Sequence, residues 1–494
     1  MLRPWEFRVQ IRKESPTPVY VQIVRAIIAD IRRGRLGPGS AMPGTRAMAK
    51  SAGVNRKTIL AVYDELIAQG WLVTDSTRGT FVSSDLPTQS PKSFAPTAKE
   101  PESEKTIADI HAPPSMLEIP KLSSTFGVLA FDDGTPDPRL VPTDLIARAF
   151  GRGLKRASRR MEFGYGDPRG NFSLRQSIST MLNIERGLST TPNNICLTRG
   201  SQMAIYLCCQ LMVRAGDTIL VEELSYPPAR ISLQQAGAEI VAIPIDKKGL
   251  KTEEVEKICK KKTVRAIYLT PHHHFPTTVS LSSARRIKLI ALANKYGFII
   301  IEDDYDHEFH FVHRPLLPLA SADQNAVIYI GSLSKLLSPG LRIGYIAAPT
   351  NFIDSAAAQI MMLDRQGNPA IELAVAEMID EGEVRRHTRK SRKEYARRRD
   401  IFKSCLLETF GETLRFNVPD GGLAFWVQFK DRIDLTELES RSREKDVQFL
   451  SSHTYSATGK ETRGLRLGFA SLQPSELEEA THRLHSSFMS LAGC

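Results

Sequence analysis

The chain has 494 residues, is 41% hydrophobic and 24% charged, and carries a formal net charge of +11. Its length suits two or three domains, and no apolar run approaches the roughly 18–20 residues a spanning helix needs, so no membrane partner is expected. The six cysteines include no CxxC pair, which excludes a disulfide framework or a cysteine zinc site and suits a reducing cytoplasm.

The N-terminus, Met1-Leu2-Arg3-Pro4-Trp5-Glu6-Phe7-Arg8, is charged where a secretory signal is apolar. Residues 1–82 hold 13 Lys/Arg against 6 Asp/Glu, and the rest of the chain holds 53 against 49. A basic end on a nearly neutral body suits contact with a polyanion, although a solvated surface explains the charge equally well. Val19, Ile23, Ile27 and Ile31, with Val24 and Ile28, predict a helix ending near Gly34. A short helix follows Thr45 and breaks at Gly53, and Asn55 caps a third whose core face is Ile59, Val62, Tyr63, Leu66 and Ile67. Trp71–Val73 and Thr80–Val82 predict two strands around the Arg78-Gly79 turn.

Short helix, tight turn, longer helix and hairpin make a winged helix-turn-helix. The polar start of the third helix, Asn55-Arg56-Lys57-Thr58, would meet the major groove, where Arg pairs with guanine edges and Lys or Thr with phosphate. Arg46 suits a backbone phosphate, and Arg78 with Gly79 in the wing suits phosphate or the minor groove. A protein-interaction module with capping residues is the competing reading. Residues 17–82 resemble a GntR-type winged helix through Pro18–Gln22, Gly34–Gly39, Met42–Arg46, Asn55–Ile59 and Arg78–Val82; Asn55 and Lys57 depart from the commoner Ser and Thr.

Residues 83–116 carry prolines at 87, 91, 96, 101, 113 and 114 and one aromatic, Phe94. Such a segment buries too little apolar surface to offset its ordering entropy, so a linker is predicted between domains at 1–82 and 117–494. The large unit alternates short apolar runs with amphipathic helices, which predicts an α/β fold with a mainly parallel sheet. Thr218–Val221, Ala266–Leu269, Phe298–Ile301 and Val327–Ile330 read as its strands, each followed by a polar cluster where open α/β sheets place ligands.

Thr198-Arg199-Gly200-Ser201-Gln202 opens an apolar helix whose free N–H groups can cradle phosphate. Tyr226 is either a cofactor-stacking ring or a core residue. Ile301–Asp306 supplies Asp303, a carboxylate able to hold a pyridine nitrogen protonated, and Tyr305, a phenol two residues on along an extended chain. By itself this acidic cluster suits Mg²⁺ equally. Lys335, 32 residues downstream, tips the balance: just past a buried strand it can be desolvated enough to form a Schiff base. Ser332, Ser334 and Arg342 surround it with phosphate-binding groups. The run Arg385–Lys393, continuing to Arg397–Arg399, reads as a basic helix with a solvated face, DNA contact being the alternative. Arg466, between apolar neighbours, wants a carboxylate from a ligand or from the fold.

Together these motifs resemble a fold-type I, pyridoxal 5'-phosphate-dependent aminotransferase over residues 125–490, with a smaller C-terminal α+β subdomain. The resemblance implies that Lys335 carries the cofactor as a Schiff base, Asp303 pairs with its ring nitrogen and Tyr305 with its ring oxygen. Ser201, Gln202, Ser332, Ser334 and Arg342 would hold the phosphate, Tyr165 would reach the phosphate of a partner subunit in a homodimer, and Arg466 would clamp a carboxylate. A GntR-type domain linked to such a unit is the plan of the MocR family of bacterial transcription regulators. It implies a double-stranded DNA operator and a small amine or amino-acid effector sensed by exchange at the Lys335 Schiff base; a catalytic aminotransferase with an accessory DNA-binding domain is the alternative. Phe275 stands where aminotransferases carry Asn, and His274 and Thr278 are unusual for the regulators, which tend to have Gln and Gly there. No metal site is expected at His272-His273-His274, because adjacent residues on extended backbone alternate faces.

Overall fold

The computed structural model describes residues 11, 17–75, 78–86, 127–312, 316–450, 452–460 and 462–492, in two compact units, Met1–Ile110 and His111–Cys494. Residues 87–116 of the predicted linker and the first ten residues of the predicted large domain lie outside that description.

In the N-terminal unit, α1 (Val19–Arg32), α2 (Thr45–Ala52) and α3 (Arg56–Ala68) precede a hairpin of β1 (Leu72–Asp75) and β2 (Gly79–Val82). The α1 stripe of Ile23, Val24, Ile27 and Ile31 packs with Ile59, Val62, Tyr63 and Leu66 of α3, and Trp71, Leu72 and Val82 close the core. Ile67 corrects the predicted core face: it is 37% exposed, since the stripe through 59, 62, 63 and 66 turns past it. The N–H of Gly53, in the left-handed conformation, donates to Ala49 O and ends α2. Two residues on, the Asn55 side chain accepts from Lys57 N and starts α3.

The second unit is built on a seven-stranded sheet. Its strands are β4 (Ile195–Thr198), β5 (Thr218–Glu222), β6 (Glu239–Ile243), β9 (Val264–Leu269), β10 (Ile299–Asp304), β11 (Val327–Ser332) and β12 (Gly344–Ala347). They lie in the order β4-β12-β11-β10-β9-β5-β6, with β12 antiparallel to both neighbours and the other pairs parallel. A ribbon, β7 (Ile245–Asp246) and β8 (Gly249–Leu250), follows β6. The smaller subdomain holds a three-stranded antiparallel sheet of β13 (Leu414–Phe416), β14 (Ala424–Phe429) and β16 (Gly464–Gly468). Beside it, β15 (Val447–Phe449) pairs in parallel with β3 (Leu129–Phe131).

The large sheet is apolar on both faces, as a sheet covered by helices on both sides must be. Ile219, Val221, Tyr268, Ile301 and Ile330 pack into one core, and Leu220, Ile267, Ile300 and Tyr329 into the other. This alternation fixes the chemistry at the end of β10, because it sends Asp303 to the Tyr268 side and Asp304 to the Tyr329 side. The basic run lies in helix Glu383–Phe410. Arg385, Arg389, Arg392 and Lys393 are exposed, but Arg398 is buried and bonds Asp137, Ala470 O and Leu472 O. Among the described residues no helix is long and apolar enough to cross a membrane, and the five described cysteines are free.

Candidate functional site

Register carries the phosphate-binding candidates to one end of the sheet. Ser332 pairs with Gly344, and Gly344 with Thr198, so the segments holding Ser332–Lys335, Arg342 and Arg199–Gln202 are neighbours. Ser201 and Gln202 open the helix Ser201–Met212 behind Gly200, whose φ is 78°. Arg342 Nη2 donates to Arg199 O at 2.7 Å, and its guanidinium lies 3.0–3.1 Å from where a Cβ on Gly200 would sit. Ser332 Oγ accepts from Ser334 N at 3.2 Å, while Ser334 Oγ is buried without a partner.

Lys335 is half-buried; its Nζ donates to Gly134 O at 2.9 Å and sits 4.5 Å from the centre of the Tyr305 ring. Burial holds its amine below the ordinary lysine range, against the pull of Asp306 and Asp133. Asp303 Oδ2 accepts from Tyr268 OH at 2.8 Å, and Asp303 Oδ1 is buried with no partner. Burial raises this carboxyl to about 7, with Asp304 and Asp306 adding and Tyr268 and Lys335 opposing.

One expectation changes here. β10 ends at Asp304, so Tyr305 lies in a turn and not on an extended strand; it still reaches Lys335, while its hydroxyl donates to His273 O at 2.9 Å. Tyr165 is 82% exposed, under the Arg365 guanidinium, and does not enter its own chain's site.

Phe275 is buried in an aromatic box, edge-on to Tyr226 at 5.3 Å, Tyr455 at 5.4 Å and Tyr305 at 6.3 Å. The Arg466 guanidinium lies 4.7 Å from the Phe275 ring. Arg466 is fully buried and donates to Pro276 O and, twice, to Asp133 O. Three of the five guanidinium N–H groups are thus used on backbone carbonyls, and the Tyr305 hydroxyl is a further partner of the guanidinium. Spacing gives no sign of Asp133, Gly134 or Tyr455. Tyr268 is findable from register: it pairs with Ile301, which places it on the same face as Asp303.

The three histidines do not alternate faces, because their backbone is not extended. Residues 270–278 form bends and a turn, and the His272 and His273 rings pack 4.8 Å apart. Only His274 turns away, donating from Nε2 to Leu224 O and accepting at Nδ1 from Thr277. Thr278, at the place where the resembling regulators have Gly, takes a φ of 63°.

In the N-terminal unit Arg46, Asn55, Arg56, Lys57, Arg78 and Gly79 are exposed and Thr58 is half-buried. Arg56 Nε donates to Thr45 Oγ1 at 3.3 Å, which links the two helices of the motif. Arg78 N donates to Asp75 Oδ1, and its guanidinium lies over Phe81.

Residues 135–484 match the family aminotransferase class I and II, and residues 19–82 match bacterial regulatory proteins of the gntR family. The chain is similar to the probable rhizopine catabolism regulatory protein MocR of Rhizobium meliloti, 27% identical over 481 residues, which is 97% of this chain and 95% of that protein. It is 28% identical to aromatic-amino-acid aminotransferase 1 of Thermococcus litoralis over 74% of this chain and 89% of that enzyme. Among solved structures it resembles the α-aminoadipate aminotransferase LysN of Thermus thermophilus, complexed with N-(5'-phosphopyridoxyl)-L-leucine. The TM-score is 0.70 at 26% identity, over 74% of this chain and 94% of that one.

Proposed function

The chain belongs to the aminotransferase class I and II family and, with a gntR-family domain ahead of it, is a transcription regulator of the MocR type; from that premise we propose that its effector unit holds pyridoxal 5'-phosphate and senses a small amine bearing a carboxylate. In this reading residues 1–82 would bind DNA, 83–116 would form the linker and 117–494 the effector unit. Asp303 carries the reading: its Oδ1 is buried and unpartnered, and its carboxyl lies within electrostatic reach of Lys335. A protonated ring nitrogen would satisfy it, and among the described residues no group does.

The other residues fit the same group. Ser334 Oγ, Ser332, Ser201, Gln202 and Arg342 would hold its phosphate at the helix start. When bound, the cofactor supplies an aldehyde that condenses with an amine and a ring that withdraws electrons. Lys335, kept below its usual pKa by burial, is the amine that would hold the aldehyde and hand it over. Tyr305 lies against Lys335 and would orient the ring oxygen. Arg466, whose guanidinium lies over Phe275, would seat an effector carboxylate there.

Phe275 supports sensing over turnover. It offers no hydrogen bond where enzymes of this type place an amide, so steps that need a finely tuned ring should suffer more than binding of an amine. The retained Lys335, Asp303 and Arg342 favour a second reading, a catalytic aminotransferase with an accessory DNA-binding domain. In either case a homodimer would let Tyr165 reach a partner's phosphate.

Reduction with borohydride, followed by peptide mass spectrometry, tests the cofactor assignment. The adduct is expected on Lys335, and Lys335→Ala should lose it while keeping its circular dichroism. An adduct on any other lysine overturns the assignment.

A further inference from the structure

We propose that His272, His273 and His310 form a binding site for one divalent transition-metal ion of the zinc class. Their donor nitrogens lie within 4.8 Å of one another, and the three rings form a triangle of centroid separations 4.5, 4.8 and 4.8 Å. His272 Nε2 and His310 Nε2 are in direct contact. Two basic nitrogens facing each other in a largely buried site need a cation or a proton between them. Zinc–imidazole bonds of about 2.0–2.1 Å put ligand nitrogens roughly 3.3 Å apart, so small side-chain rotations complete the set.

The surroundings are those of a ligated imidazole. His273 Nδ1 donates to Asp306 Oδ1 at 2.8 Å, which fixes its tautomer and leaves the Nε2 lone pair for an ion. His272 Nδ1 is buried without a partner, as is Asp304 Oδ1. Donor atoms of His272, Asp304 and His307 lie within 4.8 Å of one another, with Asp304 Oδ2 held by His307 and Tyr329, so the carboxylate bonded to a proposed ligand is Asp306. Metal-bound histidines typically carry such a carboxylate on the other ring nitrogen. His310 is half-buried, which gives the ion a route in and leaves a fourth position for water. Three imidazoles select zinc-class ions over Ca²⁺ and Mg²⁺, which prefer oxygen ligands.

The ion would tie residues 270–278 to residues 305–310. These segments bring Phe275 and Tyr305 to the cofactor site, and Tyr305 already donates to His273 O. The site does not depend on the cofactor reading, and its test uses metal alone.

Untagged full-length protein, stripped with EDTA and dialysed, is titrated with Zn²⁺ by calorimetry and with Co²⁺ by visible absorbance. One equivalent per chain is expected, with the intense ligand-field bands of a four-coordinate cobalt site. His272→Ala and His310→Ala should each abolish the stoichiometric step, and Asp306→Asn should weaken it about 10- to 100-fold. His482→Ala, on an exposed C-terminal position, should change nothing. Near-ultraviolet circular dichroism checks that the variants fold. Absence of a saturable equivalent in the wild type overturns the proposal without recourse to any variant. So does undiminished binding by a folded His272→Ala/His310→Ala double variant.

Discussion

Replacing Gly200 by alanine probes the phosphate end of the site. Gly200 has φ 78° and ψ 171°, a region populated essentially by glycine alone, and a side chain forced into it costs about 1–3 kcal/mol. The new Cβ would also lie 3.0–3.1 Å from three atoms of the Arg342 guanidinium. The guanidinium must then give by a few tenths of an ångström, which strains its 2.7 Å bond to Arg199 O and moves it from the place proposed for phosphate. A hydrogen bond from Arg342 to phosphate is worth about 1.5–3 kcal/mol, so its loss should weaken binding of pyridoxal phosphate by up to about 10- to 150-fold. The assay is absorbance titration of cofactor-free protein, with urea denaturation to measure the strain separately. Arg342→Ala removes the same contact, so the double variant should bind little worse than either single one. A folded Gly200→Ala protein that binds the cofactor as tightly as wild type would refute the placement of the phosphate. So would fully additive losses.

On DNA, Arg56→Ala should cost about 1–3 kcal/mol and relax sequence preference, whereas Arg46→Ala should weaken all sequences evenly and shallow the salt slope by about 1; filter binding at several salt concentrations separates the two. Thr278→Gly should stabilise the chain by about 1 kcal/mol in urea, because a β-branched residue at φ 63° is strained where glycine is not. Without cofactor, the Asp303 carboxyl is raised by burial to about 7, above the value of about 3.9 expected in the unfolded chain. Its contribution to stability is therefore full below about pH 4 and is lost as pH rises towards 7. Melting temperatures of cofactor-free protein should fall over that window more steeply for wild type than for Asp303→Asn, and cofactor should flatten the wild-type curve.

Local patterns make most of the site legible. Asp303, Lys335 and Arg342 are chemically specific types at strand ends, and buried strands announce themselves as apolar runs. The strand ends are less legible: Tyr305 reads as extended because nothing local says that β10 stops at Asp304. Ile67 reads into the core because a helical stripe has no sharp edge in sequence. The least legible features are long-range. His310 meets His272 and His273 only because the turn after β9 and the turn after β10 sit side by side. Gly134 reaches Lys335, and Asp133 reaches Arg466, across more than 200 residues of chain; no periodicity carries that information.

The central claim is that an amine at Lys335 changes what the winged helix does. The direct measurement uses holo-protein and a duplex selected from a random pool, with operator affinity and keto-acid product followed together as amino acids and a keto-acid acceptor are added. At least one carboxylate-bearing amine should shift operator affinity in wild type but not in Lys335→Ala, with slow or single-cycle product formation. The shift can be no larger than the difference in the ligand's affinity for the two states. Sustained turnover at about 1 per second or faster, with operator affinity unchanged by every amine tested, would contradict the account and establish the enzyme reading.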